Sequence, residues 1–405
     1  MKKILFLGYL VPTNIEGELS GLSVAGNRMQ WNIIKHLAAD AEVEVECLSV
    51  LPVAAFPKDK QLYVKSRKLD FGGMFSAASI GFCNLPVIKQ IWQMLAMYHA
   101  AHKAIKKSPD ATVLCFNLFP QIGIPMRWLQ RKHSNLDTVA ILADLPIDDD
   151  TKRKGFSVWL RKRFDASTWK SISACKRFVV LNEQVAKLYT KGKSYIVVDG
   201  GIDDAKIAEY RQPKEMPKEK NILYCGALTE YNGILNLLEA MKQVKHSDLF
   251  LDIYGGGYLE EEVRKAAEQD RRIRYHGRVS NNEVLKQQKE AWLLINPRVT
   301  SDPISQLTFP SKTFEYLLSR TPVLTTRLNG YGKEYQDTMV FMEDSVQGIA
   351  EAINEAYIMK YDELKACAER GYQLMIGNRT WKHQVDRIAA FLQQNSAMGV
   401  DKDEF

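Results

Sequence analysis

Short apolar runs recur along this chain, separated by helix-compatible segments, and they do so in two separate series. The first comprises Ile4–Leu10, Val43–Val50, Thr112–Cys115, Thr138–Leu142, Arg177–Leu181 and Tyr195–Val198. The second comprises Asn221–Cys225, Leu249–Tyr254, Ile273–His276, Trp292–Asn296 and Pro322–Thr325. A run that is apolar throughout, rather than at every other residue, marks a strand covered on both faces, as in a parallel sheet whose crossovers are helices. Two such series predict an α/β chain with two open, Rossmann-like parallel sheets. A helix is predicted from about Asn27 to Leu37. In the second series helices are predicted near Gly233–Lys245, Leu259–Glu268, Asn282–Glu290 and Pro310–Ser319, with three more near Val346–Tyr357, Tyr361–Met375 and Trp381–Gln394 closing the chain. The paired glycines of VDGGID, Val198 to Asp203, follow a strand and precede the second series. They place a first domain at 1–199 and a second at 200–380, leaving a final helix and tail at 381–405. With 405 residues and 46% hydrophobic content, two sizeable cores are within reach.

Composition narrows the class further. Six cysteines are scattered without CxxC or Cys–His metal spacing, and read as reduced core thiols of a cytoplasmic protein. The opening MKKILFLGYLVP lacks the small-residue cleavage pattern of a signal peptide and fits a buried first strand. The longest apolar stretch, 75–101, is broken by Asn84, Pro86 and Lys89, so no transmembrane helix is expected. Charge is uneven: residues 1–200 carry 28 Lys and Arg against 17 Asp and Glu, whereas the remainder carries 27 against 31. That asymmetry points to an anionic partner for the first half. No zinc-finger, RRM or KH signature accompanies it, so nucleic acid is not expected as a partner. An anionic membrane surface fits better. The segment Lys152–Ser171 sets Phe156, Trp159, Leu160 and Phe164 at helical spacing among Lys152, Arg153, Lys154, Arg161, Lys162 and Arg163. It is either a basic amphipathic helix lying on such a surface, which would make the protein peripheral on the inner face of a membrane, or a helix whose apolar face packs on the sheet.

The chemistry gathers in Gln306 to Thr326, QLTFPSKTFEYLLSRTPVLTT, which reads as loop, short helix, turn and buried strand. Pro310 suits a first helical position. Lys312 in the first turn opposes the helix dipole, a conflict that an anion held jointly by free N–H groups and Lys312 resolves. Glu315, one turn on, can accept hydrogen bonds from vicinal hydroxyls such as those of a ribose. The alternative is a surface Lys–Glu pair. Ligands of open parallel sheets sit beyond the carboxyl ends of the strands. Gly226 follows one strand and lets backbone approach a diphosphate, and Gly255, Gly256 and Gly257 do the same at a predicted helix start. Asp144 follows Thr138–Leu142 and either meets a hydroxylated ligand or caps a turn before Pro146. The loop after the first strand holds Gly17, Gly21 and Gly26 but is no GxGxxG fingerprint. The histidines are dispersed, and the one acidic run, Asp148–Asp150, reads as a solvated turn. No metal is expected.

FPSKTFEYLLSRTPVL resembles the nucleotide-sugar segment of glycosyltransferase family 4, the retaining group 1 enzymes of the GT-B architecture. ILYCGALTEYNGILNLLEAM, LDIYGGG, IRYHGRVSNNEV and LLINPR agree with it in order. The resemblance covers roughly Asp199 to Leu392 and is thin before it. It implies two Rossmann-like domains facing each other across a cleft, with the last helix returning to the first domain. It implies a sugar moved from a nucleotide diphosphate sugar to a glycan or lipid-linked glycan acceptor, in synthesis of surface polysaccharide or glycoconjugate. Glu315 then holds the donor ribose, Gly277 and Arg278 lie where the base is bound through backbone groups, and Gly21, Gly26 and Asn27 face the donor sugar or the acceptor. The family's diphosphate-binding Arg and Lys are here Ala227 and Asn232, and its further carboxylate, eight residues before the helix Glu, is Leu307. Arg298 and Lys312 are the cations left for the catalytic role, with Ser311 in the FPSK turn beside them; Arg suits bidentate phosphate contact. Those departures leave open a non-catalytic sugar-nucleotide binder or a nucleotide-sugar epimerase of the same fold.

Overall fold

The computed structural model describes residues 1–145, 156–212 and 214–394, apart from the side chains of residues 156–158, 160 and 161. The acidic run 148–150, the cations Lys152, Arg153 and Lys154 and the tail from Asn395 lie outside the described residues. The chain divides into two compact units, one of residues 1–181, 185–198 and 381–405, the other of residues 182–184 and 199–380.

Strands of the first unit are β1 (Lys2–Gly8), β2 (Val43–Ser49), β3 (Tyr63–Val64), β4 (Arg67–Lys68), β5 (Ser76–Ser79), β6 (Phe82–Cys83), β7 (Thr112–Phe116), β8 (Thr138–Leu142), β9 (Arg177–Val180) and β10 (Tyr195–Val197). Eight of them form one sheet in the order β10-β9-β8-β7-β1-β2-β5-β4. All pairs run parallel except the last, in which β4 lies antiparallel to β5. The three strands β7, β8 and β9 are buried at every residue, which is why each is apolar after its first residue, Thr112, Thr138 or Arg177. β3 and β6 pair antiparallel as a separate ribbon. This excursion between Tyr63 and Cys83 carries no apolar run, because strands of two to four residues in Lys- and Ser-rich sequence leave none. Helix Val24–Ala38 begins three residues before the predicted start, since the Ser23 hydroxyl caps it by accepting from the Gly26 N–H at 3.2 Å. The final helix, Trp381–Gln393, belongs to this unit. Arg177 ties it down: its guanidinium pairs with Asp137 and donates to the carbonyls of Phe391 at 2.5 Å and Gln394 at 3.1 Å.

The second unit is built on β11 (Asn221–Cys225), β12 (Phe250–Tyr254), β13 (Ile273–Gly277), β14 (Leu293–Asn296), β15 (Val323–Thr326) and β16 (Val340–Met342). Their order is β13-β12-β11-β14-β15-β16, all parallel. Along each strand alternate residues go to opposite cores. Ile222, Tyr224, Leu251, Leu293 and Ile295 pack under helices Ile234–Met241 and Val346–Ile358. Leu223, Cys225 and Leu294 pack under Phe314, Leu317 and Leu318 of helix Lys312–Leu318. The points where the chain enters and leaves this unit are joined. Arg379 Nε donates to Asp199 Oδ2 at 3.1 Å, Tyr335 Oη donates to the same oxygen at 2.6 Å, and the Ile202 N–H donates to the Arg379 carbonyl. No described helix is long and apolar enough to cross a membrane. All six cysteines are free thiols.

Candidate functional site

In both sheets the strand order reverses once, between β1 and β7 in the first unit and between β11 and β14 in the second. Chain leaving neighbouring strands at such a point diverges to opposite faces and opens a crevice at the carboxyl ends, so ligands bind there.

In the second unit the loop after β11 holds Gly226 and Ala227, and the loop after β14 holds Pro297 and Arg298. Several contacts lock the two loops together. Gly233 has φ +73°, and a Cβ there would lie 1.7 Å from the Pro297 carbonyl oxygen, so only glycine lets these backbones touch. The buried Asn232 amide donates to the Ala227 carbonyl and the Thr229 hydroxyl, both at 2.9 Å, and accepts from Arg298 Nε at 3.3 Å. Arg298, itself buried, also donates to Thr308 Oγ1 at 3.2 Å and lies over the Tyr231 ring. The position where the resemblance expects a lysine is thus occupied by an amide that holds an arginine in place.

Lys312 reaches the same point from the other side. Its ammonium donates to the Cys225 carbonyl at 3.4 Å, lies 4.7 Å from the centre of the Tyr224 ring and stands 3.5 Å from where a Gly226 Cβ would be. Burial, with the charge of Arg298 adding to it, lowers its pKa to about 8. One cation, Lys312, therefore stands against the bare backbone of Gly226, with Arg298 close enough for its charge to be felt there, a setting in which an anion bound beside Lys312 relieves the cost of burying its charge. Glu315 does not pair with Lys312: its carboxylate meets Lys206 Nζ at 3.6 Å, each side chain about a third exposed. Burial first, then the Glu315 and Glu209 carboxylates, push the nearby Tyr210 hydroxyl up to about 12. Helix Lys312–Leu318 begins two residues after Pro310, whose carbonyl instead accepts from the Thr313 N–H in a preceding turn, and Ser311 stands exposed as its N-cap.

The glycines after β12 have close packing neighbours of their own. The helix that follows them starts only at Glu260, and its first turn carries Glu260, Glu261 and Glu262, so it presents negative charge where a phosphate needs positive. Gly257 is required by packing, a Cβ there falling 2.3 Å from the Leu228 carbonyl oxygen. Gly256 leaves room for the Arg278 side chain, whose Nε would lie 2.2 Å from a Cβ. Gly277 at φ +69° has open space around it. His276 is the penultimate residue of β13, stacked 4.4 Å from Tyr254 and hydrogen-bonded through Nε2 to Asp252 at 2.7 Å.

In the first unit a cavity of about 470 Å³ opens at the switch point. It brings Gly21, Gly26 and Asn27, close together in the chain, to the distant Asp144. Asn27 is buried, exchanging two 2.9 Å hydrogen bonds with the backbone of Val11 and donating to Glu16, so it holds the loop after β1. Asp144 is exposed, its carboxylate accepting from Asn117 Nδ2 at 3.1 Å. Asn117, at φ +52° just past β7, also accepts from the N–H groups of Ala143 and Asp144. Phe164 of helix Phe156–Ala174 lines this cavity, whereas Trp159 of the same helix is exposed under the Arg163 guanidinium. Sequence reasoning missed Asn117 and the three polar residues that helix Ile88–Lys107 turns into the cavity, Lys89, Gln90 and Gln93. The signal for the latter was present, since these are the polar breaks in an otherwise apolar stretch.

Among comparisons with known proteins, residues 219–358 match the family model of glycosyl transferases group 1. No curated protein matches the chain. Solved structures resemble nearly all of it at low identity. Sucrose-phosphate synthase from Thermosynechococcus elongatus aligns with a TM-score of 0.64 and 13% identity, covering 97% of this chain and 99% of that one. HepE of Anabaena, in complex with UDP, aligns at 0.63 and 13%, covering 97% and 99%. WaaG, a glycosyltransferase involved in lipopolysaccharide biosynthesis, aligns at 0.57 and 17%, covering 97% and 100%. The chain is therefore an α/β protein of the GT-B fold, with two Rossmann-like domains, and its residues 219–358 carry the group 1 glycosyl transferase pattern.

Proposed function

We propose that the protein is a retaining glycosyltransferase that moves a sugar from a nucleotide diphosphate sugar to a glycan or lipid-linked glycan acceptor. The observation that carries this reading is the Lys312 ammonium set against the bare backbone of Gly226, within the electrostatic reach of Arg298 and with Glu315 one helical turn away. The UDP complex of the similar HepE fold supports a nucleotide donor. On this reading the diphosphate lies against Gly226 between the two cations and the ribose hydroxyls hydrogen-bond to Glu315, displacing Lys206. As the bond between the anomeric carbon and the diphosphate oxygen breaks, negative charge grows on the leaving group. Two fixed cations stabilise that charge, and no metal ion is needed at this position. The acceptor hydroxyl attacks from the face the diphosphate leaves and gives its proton to the departing phosphate oxygen, which retains the configuration.

The first unit supplies a cavity suited to hydroxylated ligands: the Gln90 and Gln93 carbonyl oxygens are buried there without a partner, and Asp144 is held at its rim. We assign the acceptor to it. The reading places the protein in the cytoplasm, where sugar nucleotides are made, and at the membrane face when the acceptor is lipid-linked. Incubation of the purified protein with a panel of labelled sugar nucleotides tests the proposal. Slow release of nucleoside diphosphate without acceptor, and sugar transfer with one, are expected. Binding without turnover makes it a sugar-nucleotide binder; isomerisation of the sugar makes it an epimerase.

A further inference from the structure

The first two turns of helix Ile88–Lys107 put polar side chains inward and apolar ones outward, whereas its later turns bury Met97, Ala101, Ala104 and Ile105. Its inward face carries Lys89, Gln90 and Gln93 into the first unit's cavity, and Gln93 is fully buried. Its outward face carries Ile88, Ile91, Trp92 and Leu95, which recur at intervals of three and four and are about half exposed: 51% for Ile91, 46% for Trp92 and 46% for Leu95. The stripe widens onto the neighbouring ribbon, where Tyr63 stands edge-on to Trp92 at 6.3 Å and Leu62 is 56% exposed. A contiguous apolar patch on an otherwise well-packed unit marks a binding surface.

Charge identifies the occupant. Residues 55–107 contain nine lysines and arginines against two aspartates. Continuing the outward face of the helix beyond Leu95 at the same spacing gives His99, Lys103 and Lys106, all exposed. A second copy of this chain would bring like charges together over a stripe only two helical turns long. An anionic bilayer surface satisfies both features, with aliphatic side chains entering the acyl boundary, Trp and Tyr at the headgroup level, and lysines reaching to the phosphates. We infer that the outward face of helix Ile88–Lys107, together with Leu62 and Tyr63, docks the protein on an anionic lipid surface. The same helix then lines the cavity with one face and meets the membrane with the other, so a lipid-linked acceptor reaches the cavity without leaving the bilayer. The docking itself does not depend on the transfer reaction.

Flotation of the full-length protein with vesicles of phosphatidylcholine alone, and of phosphatidylcholine mixed with phosphatidylglycerol, tests this. Wild type is expected to float with the anionic vesicles and about tenfold less with the neutral ones. The Ile91→Glu/Trp92→Glu variant, and separately Lys60→Glu/Lys65→Glu, should each lose about tenfold of that binding while melting temperature and nucleotide binding stay unchanged. All four side chains are solvent-exposed, so these variants should fold. Absence of flotation, or flotation indifferent to the Ile91/Trp92 change, overturns the inference. So does loss of flotation only in a Lys162→Glu/Arg163→Glu variant, which would move the anchor to helix Phe156–Ala174. A concentration-dependent dimer that the Ile91/Trp92 change abolishes, in a protein that does not float, would give the surface to a second copy. Flotation requires no turnover, so a failed transferase assay leaves this result standing.

Discussion

At the scale of single residues, the candidate site turns on what Lys312 and Glu315 face. Lys312 is directed at the Cys225 carbonyl beside Gly226, with a pKa lowered to about 8 by burial and by Arg298. A bound diphosphate favours the ammonium, so nucleoside diphosphate affinity should be full below about pH 8 and fall as pH rises through that value. Titration calorimetry across pH 6.5 to 9.5 reads this directly, and Lys312→Arg, whose charge persists, should abolish the decline. Lys312→Ala should lower turnover more than substrate affinity, because leaving-group charge grows in the transition state. Glu315 pairs with Lys206, which a ribose can displace. Glu315→Ala should weaken nucleoside diphosphate binding by about 1.5–3 kcal/mol, or roughly ten- to a hundredfold, with the fold intact. Lys206→Ala is the control: unchanged or tighter binding there, with loss at Glu315, separates ribose recognition from the ion pair. Equal, unaltered affinity in both would make Glu315 a surface helix residue.

At the scale of elements, the loops after β11 and β14 are held by contacts that tolerate little change. Gly233 and Gly277 both have positive φ, but only at Gly233 would a Cβ strike backbone, 1.7 Å from the Pro297 oxygen. Gly277→Ala should therefore cost only the left-handed strain of about 1–2 kcal/mol, whereas Gly233→Ala should cost about 2–4 kcal/mol and displace Arg298. Comparing thermal melts of the two variants checks this, and equal losses would mean that the loops yield. Strand and helix types were legible because each apolar run has the length and composition of a strand covered on both faces. Element starts were less so: the Ser23 hydroxyl and the turn at Pro310 set them, and both depend on local backbone geometry rather than on periodicity. The glycines after β12 also have a packing role that their spacing did not show. Their spacing suits a phosphate loop; the structure adds that the following helix opens with three glutamates and that Gly256 and Gly257 pack closely against Arg278 and Leu228.

At the scale of the whole molecule, the final helix returns to the first unit, and Arg177 is the residue that holds it. Arg177 lies 4% exposed between Asp137 and the carbonyls that end helix Trp381–Gln393. Arg177→Ala removes a buried charge from beside Asp137, which keeps its bond from Thr112, and from the carbonyls of the final helix, and should destabilise the first unit by about 3–5 kcal/mol. A thermal melt with saturating UDP, which shifts only the part that binds it, should show the drop outside the nucleotide-stabilised transition. A single transition lowered equally with and without UDP would mean that the two units unfold as one. The sequence alone determined the two parallel sheets, the approximate place where the chain passes between them and the Lys312–Glu315 segment. Each of these is written in local composition and spacing, which the chain carries wherever it folds. Tertiary structure alone decided which residues meet: that Lys312 reaches the backbone of Gly226, that Asn232 braces Arg298, and that one helix turns glutamines inward and Trp92 outward. Those outcomes follow from strand order and side-chain direction, and no single stretch of sequence encodes either.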